Sequence, residues 1–264
     1  MIIDGKALAA ELVSTIHSEI QANGWVPKLT VFTCSPNFET QKFLTIKQSQ
    51  AAAAGIAVSV VVLPPTVTVS EVAAAITEVT DQTDGIIIQF PFPHLPTEQL
   101  IPLIPKDKDV DVLWYDGTTT RLLPPVVGAI DFLAATYGVV WEHKRVVVVG
   151  SGRLVGQPAI AYVRSKGSQV TVLTKDNFTD TAIATADILI LGAGVPSLIR
   201  QEMVTSGVVV FDAGTSEEGG QLVGDAHPAV AEKASLFTPV PRGIGPLTVA
   251  ILLKNVLYLA SQHR

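Results

Sequence analysis

The chain is poor in cysteine and in charge. Among 264 residues there is one cysteine, and Asp, Glu, Lys and Arg together make up 16%. A single Cys34 excludes an internal disulfide framework and fits a reducing compartment, so a cytoplasmic location is expected. Basic residues are outnumbered, 18 against 24 acidic, for a net charge of −6. That balance argues against nucleic acid as a partner, since such proteins carry a basic face. It leaves anionic small ligands open, because a pocket can be locally positive on an acidic protein. His17, His94, His143, His227 and His263 are scattered without metal-ligand spacing, so no metal is expected. No apolar run reads as membrane-spanning, and the N-terminus, MIIDGKALAAEL, lacks the parts of a secretory signal. No membrane partner is expected.

What the chain has in quantity is apolar side chains, 48% of the total, which describes a well-packed globular protein. Its length accommodates one large or two modest domains. Apolar runs and helical patterns alternate from end to end. Asp4 is placed to cap a helix over 5–22. A strand over 28–33 follows, then a helix over 39–54 stopped by Gly55, and a strand over 57–63. Ser70 is placed to cap a helix over 71–79, and residues 85–90, GIIIQF, read as a strand apolar on both faces. A helix over 126–137 breaks at Gly138. The pattern then restarts with strand 145–149, helix 154–164 and strands 169–173, 187–191 and 208–212. Strands alternating with helices predict parallel sheets and crossover helices. The expected fold class is α/β with two lobes and a cleft between them: an N-terminal α/β substrate lobe and a Rossmann-like dinucleotide-binding lobe.

Four features carry chemistry. Val149-Gly150-Ser151-Gly152-Arg153-Leu154-Val155-Gly156 is a strand end, a glycine turn and a helix start. Gly150 suits a tight turn, Gly152 close approach of a phosphate, and Gly156 helix packing near the strand, with the helix N-terminus facing a pyrophosphate. Phe43 and Lys47 are four residues apart, hence on one helical face, where an aromatic ring and an amine can hold a flat heterocycle. On residue type alone a helical lysine reads equally as a solvated charge. Gln89 is polar at the carboxyl end of an otherwise apolar strand, the place where such folds put ligands. The tract from Thr238 to Thr248, TPVPRGIGPLT, packs three prolines and two glycines before an apolar helix. Pro239 and Pro241 suggest an extended approach, and Pro246 a first helical residue. Gly243 and Gly245 suggest special backbone angles or a close ligand.

These motifs closely resemble the bifunctional methylenetetrahydrofolate dehydrogenase/methenyltetrahydrofolate cyclohydrolase family, and the resemblance runs over nearly the whole chain. The C-terminal tract resembles the family's TPVPGGVGPMT, with Arg242 at a glycine. Phe43 and Lys47 resemble its YxxxK helix, with the tyrosine hydroxyl missing. Gln89-Phe90-Pro91 resembles QxP, and Lys108-Asp109-Val110-Asp111 resembles KDVD, followed by Val112 where the family has glycine. Gly150, Val155, Gly156 and Pro158 match the family's GRSxIVGxP, with Ser151 at its arginine and Gly152 at its serine. The 187–196 segment, with Gly192 and Gly194, resembles DILVVATGxP, and Thr215 stands at an isoleucine in a D-V-G-I-like turn. Leu123-Pro124-Pro125-Val126-Val127-Gly128 keeps only the glycine of PCTPxG.

The resemblance implies oxidation of 5,10-methylenetetrahydrofolate followed by hydrolysis to 10-formyltetrahydrofolate. It implies Lys47, Gln89 and Asp111 as catalytic residues, and Phe43, Pro241, Gly243, Gly245, Pro246 and Thr248 as contacts to the folate. It implies Gly150, Ser151, Gly152, Arg153, Val155, Gly156, Lys175, Gly192, Gly194 and Thr215 as contacts to the cofactor. Lys175 can pair with a 2′-phosphate of NADP and the adjacent Asp176 with the ribose 2′-OH of NAD, which point in opposite directions. NADP is the expected cofactor because the resembled family uses it, with NAD left open. The implied lobes are 1–138 for folate, with a C-terminal helix 246–264 packing back on it, and 139–245 for the dinucleotide. Tetrahydrofolate derivatives are the expected partners and a homodimer the expected assembly. Two other readings remain open here: a shikimate dehydrogenase-like two-lobed oxidoreductase, and a divergent paralogue that binds folate or nucleotide without the full chemistry.

Overall fold

A computed structural model describes residues 1–118 and 121–262, without the side chains of residues 38, 39 and 42. His263 and the last residue of the expected C-terminal helix therefore lie outside the described residues. The chain divides into two compact units, Ala10–Trp114 with Val249–Arg264, and Met1–Ala9 with Tyr115–Thr248. The division runs through the first and last helices.

The elements in order are α1 (Gly5–Asn23), β1 (Lys28–Cys34), α2 (Phe38–Ala54), β2 (Ala57–Leu63), α3 (Val69–Thr80), β3 (Gly85–Gln89) and the short α4 (Thr97–Leu100). Strands β1 to β3 form a parallel sheet in the order β2-β1-β3, with Leu29 level with Gly85 and Thr33 level with Gln89. A parallel sheet covered on both faces needs apolar side chains at consecutive positions, which is why β3 reads as an unbroken run until Gln89. Phe32, Ile86 and Ile88 of this sheet pack with Val72 and Ile76 of α3 and with Leu100. Full burial of each such side chain is worth roughly 1.5–3 kcal/mol. Gly55 ends α2 in the left-handed region as expected (φ 83°). The cap of α3 is Thr68 and not Ser70: the Thr68 hydroxyl accepts from the Glu71 backbone N–H while Glu71 accepts from the Thr68 N–H. A reciprocal pair of this kind satisfies two N–H groups at once, which outweighs a single serine contact.

The other unit holds α5 (Pro125–Tyr137), β4 (Arg145–Val149), α6 (Gly156–Ser165), β5 (Gln169–Leu173), α7 (Asp180–Ala184), β6 (Ile188–Leu191) and β7 (Val209–Asp212). The hairpin β8 (Ser216–Glu218) and β9 (Gln221–Val223) and the short β10 (Leu236–Phe237) follow. Its main sheet is parallel throughout, in the order β10-β7-β6-β4-β5. The chain steps from β4 outward to β5 and then returns to β6 on the other side. The order therefore reverses between β4 and β6, and the crevice outside the carboxyl ends of those two strands is where open α/β sheets bind ligands. The division differs from a boundary at residue 138. Helix α5 packs on α6, and the Tyr162 hydroxyl donates to Asp131. Contacts of this kind are invisible in a chain read linearly.

The last helix, α8 (Ile244–Gln262), starts two residues before the expected 246 and puts Pro246 at its third residue. Proline is tolerated there because the first-turn N–H groups have no intrahelical partner. By length and composition α8 is apolar enough to cross a membrane, contrary to the sequence reading, yet 61% of it is buried within the protein. Asn255, buried on this helix, donates to the Val110 carbonyl at 2.9 Å, as a core helix does.

Candidate functional site

In the first unit α2, β3 and the segment after the Ile86–Asp109 bridge bring three polar side chains together. The Lys47 ammonium donates to Gln89 Oε1 at 2.7 Å. Asp111 is close enough to act on Lys47 electrostatically. Burial pushes the Lys47 amine below the usual lysine range, and the Asp111 charge opposes that shift. Burial likewise raises the Asp111 carboxyl, with Lys47 pulling it down. An amine held by an amide oxygen and drawn toward the neutral form is suited to exchanging protons with a bound reactant. Phe43, one turn before Lys47, is 55% exposed, leaving its ring available for stacking.

Asp109 sets the position of Asp111, a role the sequence did not reveal. Its carboxylate accepts from the N–H groups of Asp111 (3.1 Å) and Leu113 (2.7 Å), closing a turn. Within that turn Val112 has φ 52°, a left-handed angle that is costly for a β-branched residue. Burial of the Val112 side chain, 1% exposed, offsets part of that cost. This is where the family pattern has glycine, and Arg242 repeats the case with φ 84°. The exposed Arg242 side chain pairs with Asp4 at 3.1 Å.

In the second unit the turn after β4 and the loop after β6 flank the β4–β6 crevice. Gly150 has φ 97°, and a Cβ there would lie 2.5 Å from the Gly192 carbonyl oxygen. A Cβ on Gly156 would lie 2.2 Å from the Gly150 carbonyl oxygen, and one on Gly192 would lie 2.4 Å from Val155. Gly150 and Gly192 are thus required by packing of the two loops on each other, and Gly156 by the close return of its own turn onto Gly150 and Ser151. Gly152 differs, since nothing lies within 4 Å of its Cβ position. That leaves backbone open to a ligand phosphate, beside the N-terminus of α6. Ser151, Gly152 and Arg153 are exposed, and α6 begins at Gly156, not at Leu154. Lys175 and Asp176 are both exposed on the turn after β5, which Asn177 braces through the Thr174 N–H (2.7 Å). The Thr215 carbonyl oxygen lies 4.0 Å from the Cβ position of Gly194. The residues present therefore fit a dinucleotide: a tight glycine turn, an open backbone stretch and a cation on the following strand end.

The C-terminal tract turns at 240–242 and is not extended. The Gly243 Cβ position lies 2.4 Å from the Pro239 carbonyl oxygen, and that of Gly5 lies 1.9 Å from the Gly243 carbonyl oxygen. Packing alone accounts for Gly243, whereas the space around Gly245 is open. Pro241 is exposed, and Pro246 and Thr248 are half-buried.

Burial raises both Asp109 and Asp212 from 3.8 to about 7. A carboxyl raised in the folded state keeps its proton while the unfolded chain has already released it. The stability it contributes is full below about pH 4 and declines as pH rises to about 7. The unfolding midpoint is expected to fall between pH 5 and pH 7.5, by roughly 5–10 °C for a loss on the order of 2–4 kcal/mol. A flat or rising midpoint in a thermal melt series would show that the two carboxyls ionise normally.

Comparison with known proteins places these features in one family. The tetrahydrofolate dehydrogenase/cyclohydrolase catalytic domain matches residues 3–111, and the NAD(P)-binding domain of the same family matches residues 124–264. The bifunctional protein FolD of Sulfurovum sp. strain NBC37-1 is 34% identical, with 99% of each chain covered. The crystal structure of the bifunctional FolD enzyme from Campylobacter jejuni superposes with a TM-score of 0.94 at 30% identity, covering 100% of this chain and 99% of that one. The Trypanosoma brucei enzyme, solved with NADP and an inhibitor, gives a TM-score of 0.92 at 29% identity, covering 100% and 98%.

Proposed function

This chain belongs to the tetrahydrofolate dehydrogenase/cyclohydrolase family, and from that premise we propose how its residues divide the two reactions. The protein is an NADP-dependent methylenetetrahydrofolate dehydrogenase and methenyltetrahydrofolate cyclohydrolase of one-carbon metabolism. The unit of Ala10–Trp114 with Val249–Arg264 is the folate and catalytic unit, and the unit of Met1–Ala9 with Tyr115–Thr248 binds the dinucleotide.

The observation that carries the assignment is the 2.7 Å contact between Lys47 and Gln89, with Asp111 beside it. Asp111 accepts hydrogen bonds from the pterin amino and ring N–H groups, a paired geometry that a carboxylate suits. Phe43 stacks on the heterocycle. When bound, NADP supplies the hydride acceptor for the one-carbon bridge of 5,10-methylenetetrahydrofolate, a step that needs positioning and no strong acid or base. The methenyl product is a cation, and its approach lowers the Lys47 amine further. The neutral amine, oriented by Gln89, takes a proton from water as the new C–O bond forms. It returns that proton to the leaving ring nitrogen as the C–N bond breaks, while the carbinol hydroxyl gives up its own proton to solvent as the formyl C=O forms, yielding 10-formyltetrahydrofolate.

Lys175 pairs with the 2′-phosphate of NADP, and the Ser151 hydroxyl replaces the family's arginine as a donor. A homodimer through the dinucleotide unit is the assembly that the resemblance implies, and β5 is one of the two outer strands of its sheet.

The test mixes purified protein with 5,10-methylenetetrahydrofolate and either NADP or NAD, following reduced nicotinamide and the methenyl absorbance separately. NADP reduction with transient methenyl is the expected result. Reduction with NAD alone overturns the Lys175 assignment, and no reduction with either overturns the dehydrogenase.

A further inference from the structure

We propose that Asp225 is the positioning residue of the dinucleotide crevice, holding the loop after β6 in its binding shape from inside. The inference rests on the dinucleotide site proposed above. Asp225 is fully buried, 30 to 32 residues downstream of the loop it touches. Its Oδ2 accepts from the N–H groups of Ala193 (2.6 Å) and Gly194 (3.2 Å), and its Oδ1 from Val195 (2.8 Å). Three successive N–H groups converging on one point form a concavity that binds anions. Here the chain fills that concavity with its own carboxylate, an acceptor with two oxygens and no hydrogen to clash. Gly194 can follow the required curve because its φ is 68°. The Val195 side chain is left 45% exposed.

Asp225 is held in turn. Asp212, at the end of β7, accepts from the N–H groups of Gly214 (3.0 Å), Asp225 (3.3 Å) and Ala226 (2.8 Å). The Asp212 N–H donates to the hydroxyl of buried Thr238 at 2.7 Å. Two glycines follow from this clamp: a Cβ on Gly214 would lie 2.1 Å from the Asp225 carboxyl carbon, and one on Gly224 would lie 2.2 Å from Asp212 Oδ2. The sequence Asp212-Ala213-Gly214 and Gly224-Asp225-Ala226 is thus one device, two carboxylates locking the strand ends on one side of the crevice. The loop they lock carries Gly192, whose carbonyl packs on Gly150 of the opposite wall.

The test compares the unsubstituted protein with Asp225→Asn. Asparagine offers one acceptor oxygen and turns N–H donors toward the remaining loop N–H, so at least one of the three contacts becomes repulsive. NADPH affinity, read from nicotinamide fluorescence, is expected to weaken at least about 10-fold. Hydrolysis of methenyltetrahydrofolate, which uses residues of the other unit, is expected to stay within about 2-fold. Equal NADPH affinity in the two proteins overturns the inference alone. A parallel loss of hydrolysis and of thermal stability also overturns it, because Asp225 would then serve the fold in general. If the unsubstituted protein binds no NADPH, the dinucleotide reading itself fails. A second readout needs no variant. The amides of Ala193 and Val195 are expected to exchange hydrogen as slowly as those of β6 in the protein without cofactor, and fast exchange there overturns the clamp.

Discussion

Lys47→Met is expected to cut the hydrolysis of methenyltetrahydrofolate by about 10²- to 10⁴-fold, the range of a lost general acid–base group. Methionine keeps the length and apolar stem of the side chain and removes the proton carrier. Gln89 Oε1 then loses the donor it now has at 2.7 Å, an effect of about 1–3 kcal/mol if no water replaces it. NADP reduction is expected to fall far less, by about 10-fold or under, since hydride transfer calls on positioning more than on protons. Lys47→Arg sharpens the reading. It preserves the positive charge beside Asp111 but cannot release a proton at neutral pH. If charge were the function, arginine would rescue; if proton exchange is the function, arginine fails as methionine does. The measurement is the decay of methenyl absorbance against formation of NADPH on the same preparation. A methionine variant that hydrolyses at the unsubstituted rate would remove Lys47 from the mechanism.

Much of this site was legible in the sequence because its parts are local. Phe43 and Lys47 share a helical face by spacing alone, and Gln89 is conspicuous as the polar end of GIIIQ. The parallel strands were readable because both faces are covered, which leaves near-continuous apolar runs such as Arg145–Val149. What stayed hidden depends on partners distant in sequence. Asp212 and Asp225 look like turn residues until the fold brings the second within 2.6 Å of a loop 32 residues earlier. Asp109 reads as part of a loop, yet it is 2% exposed and organises the turn that presents Asp111. The division after Trp114 depends on α5 packing against α6, a tertiary choice that no linear break at Gly138 could reveal. The hairpin β8–β9 does carry a local signal: Gly219-Gly220 joins two short strands with both glycines at positive φ.

Glycine to alanine changes in the turn after β4 separate the glycines that shape the site from the one that receives the ligand. Gly156→Ala places a methyl 2.2 Å from the Gly150 carbonyl oxygen and 2.7 Å from the Ser151 Cα. Both are backbone atoms and cannot rotate away. Alanine would ordinarily stabilise a helix by about 1 kcal/mol over glycine. Forcing two backbone segments apart costs about 1–3 kcal/mol or more, so the clash wins. The expected result is a melting point lowered by several degrees and NADP-dependent turnover reduced about 100-fold or more, because the turn that meets the pyrophosphate opens. Gly152→Ala is the contrasting case. Its Cβ position has no neighbour within 4 Å, so the melting point is expected to hold. Any rise in the KM for NADP must then come from the methyl meeting the cofactor itself. If Gly152→Ala leaves that KM unchanged, the phosphate does not approach at Gly152, and its position must be sought elsewhere along the start of α6. If Gly156→Ala melts and turns over normally, the turn after β4 does not close on itself as tightly as the 2.2 Å approach requires, and that wall of the crevice is adaptable instead of preformed.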